Sequence, residues 1–292
     1  MEADVRDLLG LSGDTRAVIL CSDALGFSHA NNQGVYEALR NGALNSARVM
    51  TPGPWVRHAA TSHQGEDVGI SLTLTCDNDI FHLFPLSASP SLVDGGGGFP
   101  ATSDDLWSHA DIDELRREAR GQLERAIYWG FDISHIASFG DSLIGRPEFF
   151  DIVLDLAIEY RLPIRLPENS SEERLGYPAK TLVTQEGLVA IDQTIDIAKV
   201  NLAQYPTFEV AFDDVVKHLE PGVSEITFKL TADTPEIREL SPRWLDEVNW
   251  TKVVMDRAFV QRTLARYSVI STDYRRIRNL ARQRFSRSTF LV

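Results

Sequence analysis

Cysteine is scarce in this chain: Cys21 and Cys76 are the only two in 292 residues. Two thiols build no disulfide framework, so a reducing, cytoplasmic setting is the expectation. Long apolar runs are missing too. None approaches the ~20 residues that a membrane helix needs. The opening MEADVRDLLGLSGD is acidic and amphipathic, which fits neither a secretion signal nor a transit peptide. Basic residues are in deficit, 29 against 42 acidic ones, for a net charge of −13. That balance argues against general nucleic-acid binding. The usual catalytic signatures are absent as well. The sequence has no Gly-x-Ser-x-Gly, no Cys-x-x-Cys, no His-Glu-x-x-His, and no Gly-x-Gly-x-x-Gly after its first apolar run. Its seven histidines fall mostly on predicted helices or in one long loop, which makes a poor metal inventory.

What is present is an alternation of strand and helix. RAVILCSDALG, Arg16 to Gly26, reads as a buried parallel strand that ends in an acidic loop, with Asp23 just past its apolar run. A helix follows, to Asn41. Further strands are predicted at Ser46 to Met50, Val68 to Thr75, Ile133 to Ser138, Leu162 to Leu166, Ser224 to Thr231 and Tyr267 to Ser271. Helices are predicted at Trp55 to His63, Asp111 to Trp129, Arg146 to Tyr160, Phe208 to Leu219 and Tyr274 to Arg284. This order implies a single α/β domain, (β/α)-barrel-like, with seven or eight parallel strands.

Two segments stand out by composition. Residues 76–105 lack periodicity and hold the run Gly95 to Gly98; a loop of that length in a compact domain reads as a lid or binding loop. The glycines lack the Gly-Lys-Ser/Thr ending of a phosphate loop and read as a flexible turn. Residues 251–292 carry ten Lys and Arg against two Asp, a local balance of +8. Such a tail could dock onto its own body or a twin subunit, with a solvated helical face the favoured reading.

Polar residues recur at matching places in the strands. Asp23 follows the first, Arg48 lies in the second, Ser71 and Thr73 lie in the third, and His135 lies in the fourth. Phe139 and Asp141 follow the fourth, Arg165 ends the LPIRL run, and Lys229 sits late in SEITFKLT. In a barrel these converge on the face where such folds build sites. Buried Arg and Lys need partners, and Asp23 and Asp141 are the expected ones. His135 reads as a core histidine rather than a ligand.

Asp23 with Leu25-Gly26, then NNQGVYEAL, VGISLTLT, SHIAS, PEFFDIVLDLAIEYRLPIRLP and GVSEITF, resembles in order and spacing the YdjC-like (ChbG/HpnK) carbohydrate deacetylases. The resemblance runs from about Arg16 to Asp233. It implies a barrel-like fold, a homodimer, and N-acetyl hydrolysis on sugars with a divalent metal held by one Asp and two His. It also implies Asp23 as the catalytic base, with Arg165 as the arginine that supports it. At the ligand positions this chain has Ala24, Ser71 and Phe139, and at the late catalytic histidine it has Lys229. Ala and Phe donate nothing to a metal, so no metal or other cofactor is expected.

Three readings stay open. The first is a metal-independent enzyme acting on a small molecule by proton transfer, such as elimination, isomerisation or cyclisation. Its catalytic groups would be Asp23, Arg165 and Lys229, and Arg48, Ser71, Thr73, His135, Phe139 and Asp141 would bind substrate. The second is an inactive module that binds a sugar or a protein partner. The third is a deacetylase with an atypical metal site.

Overall fold

The apolar run near the start becomes the central strand of a parallel sheet. The computed structural model describes residues 4–289 apart from Asp79 and Asn169, and side chains as far as residue 284. Its strands are β1 (Arg16–Leu25), β2 (Ser46–Val49), β3 (Val68–Leu72), β4 (Ile133–Ser138), β5 (Gln193–Asp196), β6 (Gly222–Phe228) and β7 (Val269–Ser271). They pair in the order β4-β3-β2-β1-β6-β5, with β7 beside the first residues of β1. All pairings are parallel. β1 is buried on both faces, as a parallel strand between helices and a barrel interior must be. Val18 and Leu20 join the core under the outer helices, while Ala17, Ile19 and Cys21 pack inward.

The sheet curls round on itself. Ile164 bridges to both Ile136 of β4 and Ala190, and the Asp192 amide then donates to Val223 of β6 at 2.9 Å. This carries the ladder from β4 back to β5 and β6, so the curled sheet is barrel-like. The LPIRL run contributes only that bridge, rather than the expected strand, because Pro163 has no amide to donate. β5 escapes the sequence reading because Gln193-Thr-Ile-Asp lacks an apolar pattern. The helices Val5–Leu9, Trp244–Met255 and Arg257–Arg266 are additional to those expected from sequence. Among the described residues no helix is long and apolar enough to cross a membrane.

The base of the barrel is plugged by the two ends of the chain. Val5 from the first helix, and Tyr274 and Ile277 from the helix Tyr274–Thr289, pack on Ala17, Ile19, Cys21, Ile191 and Val223. The basic segment is divided: Arg275 and Arg278 dock on the chain's own body, while Lys252, Arg257, Arg262, Arg266 and Arg276 form the exposed face favoured from sequence. Arg278 forks onto Asp132 at 2.6 and 2.8 Å and donates to the Ile133 carbonyl at 2.7 Å. Arg275 donates to the carbonyls of Gly65 and Glu66. The end of that tail, the Arg287 side chain and residues 290–292, lies outside the described residues.

The 76–105 segment is irregular but pinned. Phe99 and Leu92 are fully buried, the Cys76 amide donates to Pro100, and the Phe99 amide donates to Leu83. The glycine run closes a turn in which the Asp94 amide donates to Gly98 at 2.8 Å.

Two bulges shape the barrel, one near its mouth and one near its base, both in parallel pairs, where bulges are rare. Between Ser22↔Ala47 and Leu25↔Val49, two residues of β1, Asp23 and Ala24, face one of β2, Arg48. Between Val68↔Ile133 and Ile70↔Ile136, Gly69 faces both Ser134 and His135. The His135 ring fills the space above Gly69, where an added Cβ would lie 2.3 Å from it. Gly69→Ala should therefore overpack the interior and cost about 1–3 kcal/mol, read as a lower midpoint in urea unfolding. An unchanged midpoint would mean that the ring is free to move aside.

Candidate active site

The strand ends open into two adjoining cavities of about 400 and 330 Å³. Asp23, Asp77, Phe139, Asp196 and Thr227 line both. The larger also takes in Arg48, Ser71, Asp141 and Arg165, and the smaller takes in Ala24, Phe27, Lys229, Glu247 and Trp250. Asp23, Arg48, Ser71, Phe139, Asp141, Arg165 and Lys229 thus gather at one mouth.

Two expected residues do not reach it. Thr73 is wholly buried behind β3, its hydroxyl donating to the Ser71 carbonyl at 2.9 Å and its amide to Gln122 at 2.8 Å. β3 ends at Leu72, so the alternation that would have turned Thr73 inward stops one residue early. His135 lies beneath the cavities, stacked on the Tyr274 ring at 3.6 Å, with Nδ1 beside the Ser134 hydroxyl at 2.9 Å. Burial, reinforced by Arg48, pushes its imidazole well below the usual histidine range. It is a neutral core residue, and its Nε2 has no hydrogen-bond partner among the described residues.

Glu225 is the hub of the interior, and it was not foreseen. Nη1 of Arg48 donates to both of its carboxylate oxygens, at 2.9 and 2.8 Å. The Tyr274 hydroxyl donates to it at 2.6 Å, and the Thr227 hydroxyl donates through a short bond. Nε of Arg165 stands 3.8 Å away. Burial alone would raise the Glu225 carboxyl. Arg48 first, then Arg165, outweigh that and hold it at about 2. Its strand, GVSEITF, also holds Ser224 and Thr227, so the carboxylate did not stand out, and its full burial, which demands a partner, shows only in the fold.

The other cations are committed too. Arg165 pairs with Asp141 at 2.7 Å, as expected, but not with Asp23, so it does not orient that carboxylate directly. Asp141 is held at φ +57°, in the left-handed region that Asp tolerates better than most side chains. Lys229 lies 3.6 Å from Glu247 and 4.7 Å above the Phe27 ring, with its side chain 40% exposed. Asp23, by contrast, has no ion pair among the described residues. Burial raises its carboxyl above the ordinary 3.8; Arg48 opposes this, Asp196 adds to it, and Lys229 and Arg165 oppose it more weakly.

Asp23, Asp77 and Asp196 line both cavities, but the three positions where the resemblance implies ligands carry poor metal donors. Ala24 and Phe139 have no donor atom, and Ser71 offers only a neutral hydroxyl. Among the described residues one trio, Cys21, His135 and Glu225, brings its ligand atoms within 4.8 Å of one another. It lies in the buried interior, where Glu225 is already held by Arg48, Thr227 and Tyr274, and burial pushes the Cys21 thiol up. A cation there would meet the Arg48 guanidinium.

Removing half of the buried pair should be worse than removing all of it. Glu225→Gln leaves Arg48 uncompensated and should cost about 3–5 kcal/mol; Arg48→Met with Glu225→Gln should recover much of that in denaturant unfolding. Equal losses in both variants would mean that the charges do not interact. The Glu225 carboxyl sits lower in the folded chain than its ordinary 4.5. Its stabilisation is therefore complete above that pH and is lost as pH falls through about 2.

With this geometry in hand, the chain can be set beside known proteins. A carbohydrate deacetylase of Thermus thermophilus is 34% identical over 242 residues, covering 82% of this chain and 86% of that protein. A carbohydrate deacetylase of Brevibacillus brevis is 34% identical over 207 residues, covering 66% and 79%. A solved structure from Enterococcus faecalis, a proposed cellobiose-phosphate cleavage protein, superposes with a TM-score of 0.73 at 21% identity, over 89% of this chain and 98% of that one. At that identity the superposition speaks for the fold alone. The profile of the YdjC-like protein family matches residues 17–266, and the chain belongs to that family.

Proposed function

We propose that this chain is a carbohydrate-processing enzyme of the deacetylase type, which removes an acyl group from a sugar by proton transfer at Asp23 without a metal ion. The single observation that carries the reading is Asp23 itself: an unpaired carboxylate with a raised pKa, facing a cavity of about 400 Å³. Perturbed carboxylates in clefts of this size are the usual bases of enzymes. The names of the relatives supply the substrate class, a carbohydrate, and the bond, an acyl link.

In this reading Asp23 takes a proton from water as the water oxygen bonds to the acyl carbon. The carbon–nitrogen bond then breaks and the amine leaves with a proton. Lys229 is the candidate donor at the rim, 3.6 Å from Glu247. Arg165 and Asp141 act together as a rigid polar wall, and Phe139 gives an apolar face for the sugar ring. The 76–105 segment contributes Asp77, Ala101 and Ser103 to the rim, in the place of a binding loop.

A second reading keeps Asp23 as the base but lets it remove a carbon-bound proton, in elimination or isomerisation. The absence of metal donors at Ala24 and Phe139 favours it, because amide hydrolysis draws more from a Lewis acid than proton abstraction does.

N-acetylglucosamine oligomers followed by mass spectrometry separate the two. Loss of an acetyl group supports hydrolysis, an unsaturated or isomeric sugar supports the second reading, and an unchanged sugar contradicts both for this substrate. Asp23→Asn should lower turnover by about a hundredfold or more, and Lys229→Ala by a smaller factor, with both variants folded. The base must be ionised, so activity should fall as pH drops through a point above the ordinary aspartate value. Wild-type turnover by Asp23→Asn would remove the assigned base.

A further inference from the structure

Ala24, Ser71 and Phe139 stand where the resemblance implies ligands, at a mouth that holds the buried Arg48. We infer that the Arg48 guanidinium is the fixed cation of this site, standing in by charge for a divalent ion and binding the acyl oxygen as it becomes anionic. The inference rests on the acyl-transfer reading above and names the group that stabilises the oxyanion.

Four observations carry it. The β1 bulge sets Asp23 and Ala24 opposite Arg48, so base and cation share one rung of the barrel. Arg48 lines the same cavity as Ser71 and Phe139, two of the three positions where the resemblance implies ligands. Arg48 is only 2% exposed, and a guanidinium so placed exists only with a built partner. That partner is itself pinned: Tyr274 and Thr227 bond to Glu225, and Nη1 of Arg48 bridges both Glu225 oxygens. The cation is tethered through Nη1, and among the described residues Nη2 has a single long contact, 3.4 Å to Thr227. A preorganised charge aimed where charge develops is the form that oxyanion stabilisation takes.

The step balances without another reactant. Water forms the new carbon–oxygen bond and gives its proton to Asp23. The carbonyl electron pair moves onto oxygen beside Arg48, returns as the carbon–nitrogen bond breaks, and the nitrogen takes a proton. Acid and amine are the products. A divalent ion placed beside the guanidinium would be repelled, so Arg48 and a metal are alternatives at this mouth.

Zinc titration by calorimetry tests the charge, independently of any activity. Wild-type protein should show no stoichiometric Zn²⁺ binding. The variant Ala24→Asp/Ser71→His/Phe139→His should bind Zn²⁺ at least tenfold more weakly than the same variant carrying Arg48→Met and Glu225→Gln as well. Circular dichroism of each variant establishes its fold. Stoichiometric binding by the wild type, or equal affinities in the two variants, would overturn the inference. A second arm needs only one conservative change. Arg48→Lys should lower kcat about a hundredfold with KM little changed, and an unchanged kcat would overturn the role. If the wild type hydrolyses no acyl sugar, the acyl-transfer reading fails while the zinc arm still reports on the charge.

Discussion

The barrel interior depends on one buried ion pair, Arg48 with Glu225. Taking two charges out of water costs several kcal/mol each, and this chain repays the cost by surrounding the carboxylate with donors. Arg48, Tyr274 and Thr227 all bond to it, and Arg165 stands just beyond hydrogen-bond reach. Tyr274 ties the network to the last helix, its ring stacked on His135, which in turn needs the missing Cβ of Gly69. Four strands and the C-terminal helix are locked together by that arrangement. The pair buys geometry rather than stability, since a well-packed apolar core would serve stability equally well.

From that constraint the mouth takes its character. With Arg48 held by Glu225, Arg165 by Asp141 and Lys229 by Glu247, the cations lining the mouth have partners, and Asp23 is left without one. For the half-buried Asp23, desolvation outweighs the opposing charge of Arg48, which leaves its carboxyl raised. A base with that placement takes up a proton more readily than an ordinary aspartate does. The two bulges finish the arrangement by turning Asp23 towards Arg48 on one side and His135 over Gly69 on the other.

Much of this could be read from the chain before folding. Val18, Ile19 and Leu20 announced a strand buried on both sides, and the alternation of strands with amphipathic helices announced the barrel. Asp23, Arg48, Arg165 and Lys229 were found because polar groups at strand ends are conspicuous against apolar runs. Glu225 was missed because its predicted strand, Ser224 to Thr231, mixes polar and apolar residues, and only the curled sheet reveals that β6 is buried along its whole length. Thr73 was misplaced because alternation says nothing about where a strand stops. Asp196 reaches the mouth from a four-residue polar strand without a legible pattern, and Tyr274 reaches the interior from a helix that was expected but whose buried face was not. Local periodicity gives the elements; which charges meet is a tertiary fact.

The central claim is that a guanidinium, not a metal ion, supplies the positive charge beside Asp23. A crystal of the wild-type protein soaked in zinc, with anomalous differences recorded at the zinc edge, tests it most directly. The account predicts no anomalous peak in the cavity and Arg48 unmoved on Glu225. A peak coordinated by Asp23, with Arg48 displaced from Glu225, would contradict it.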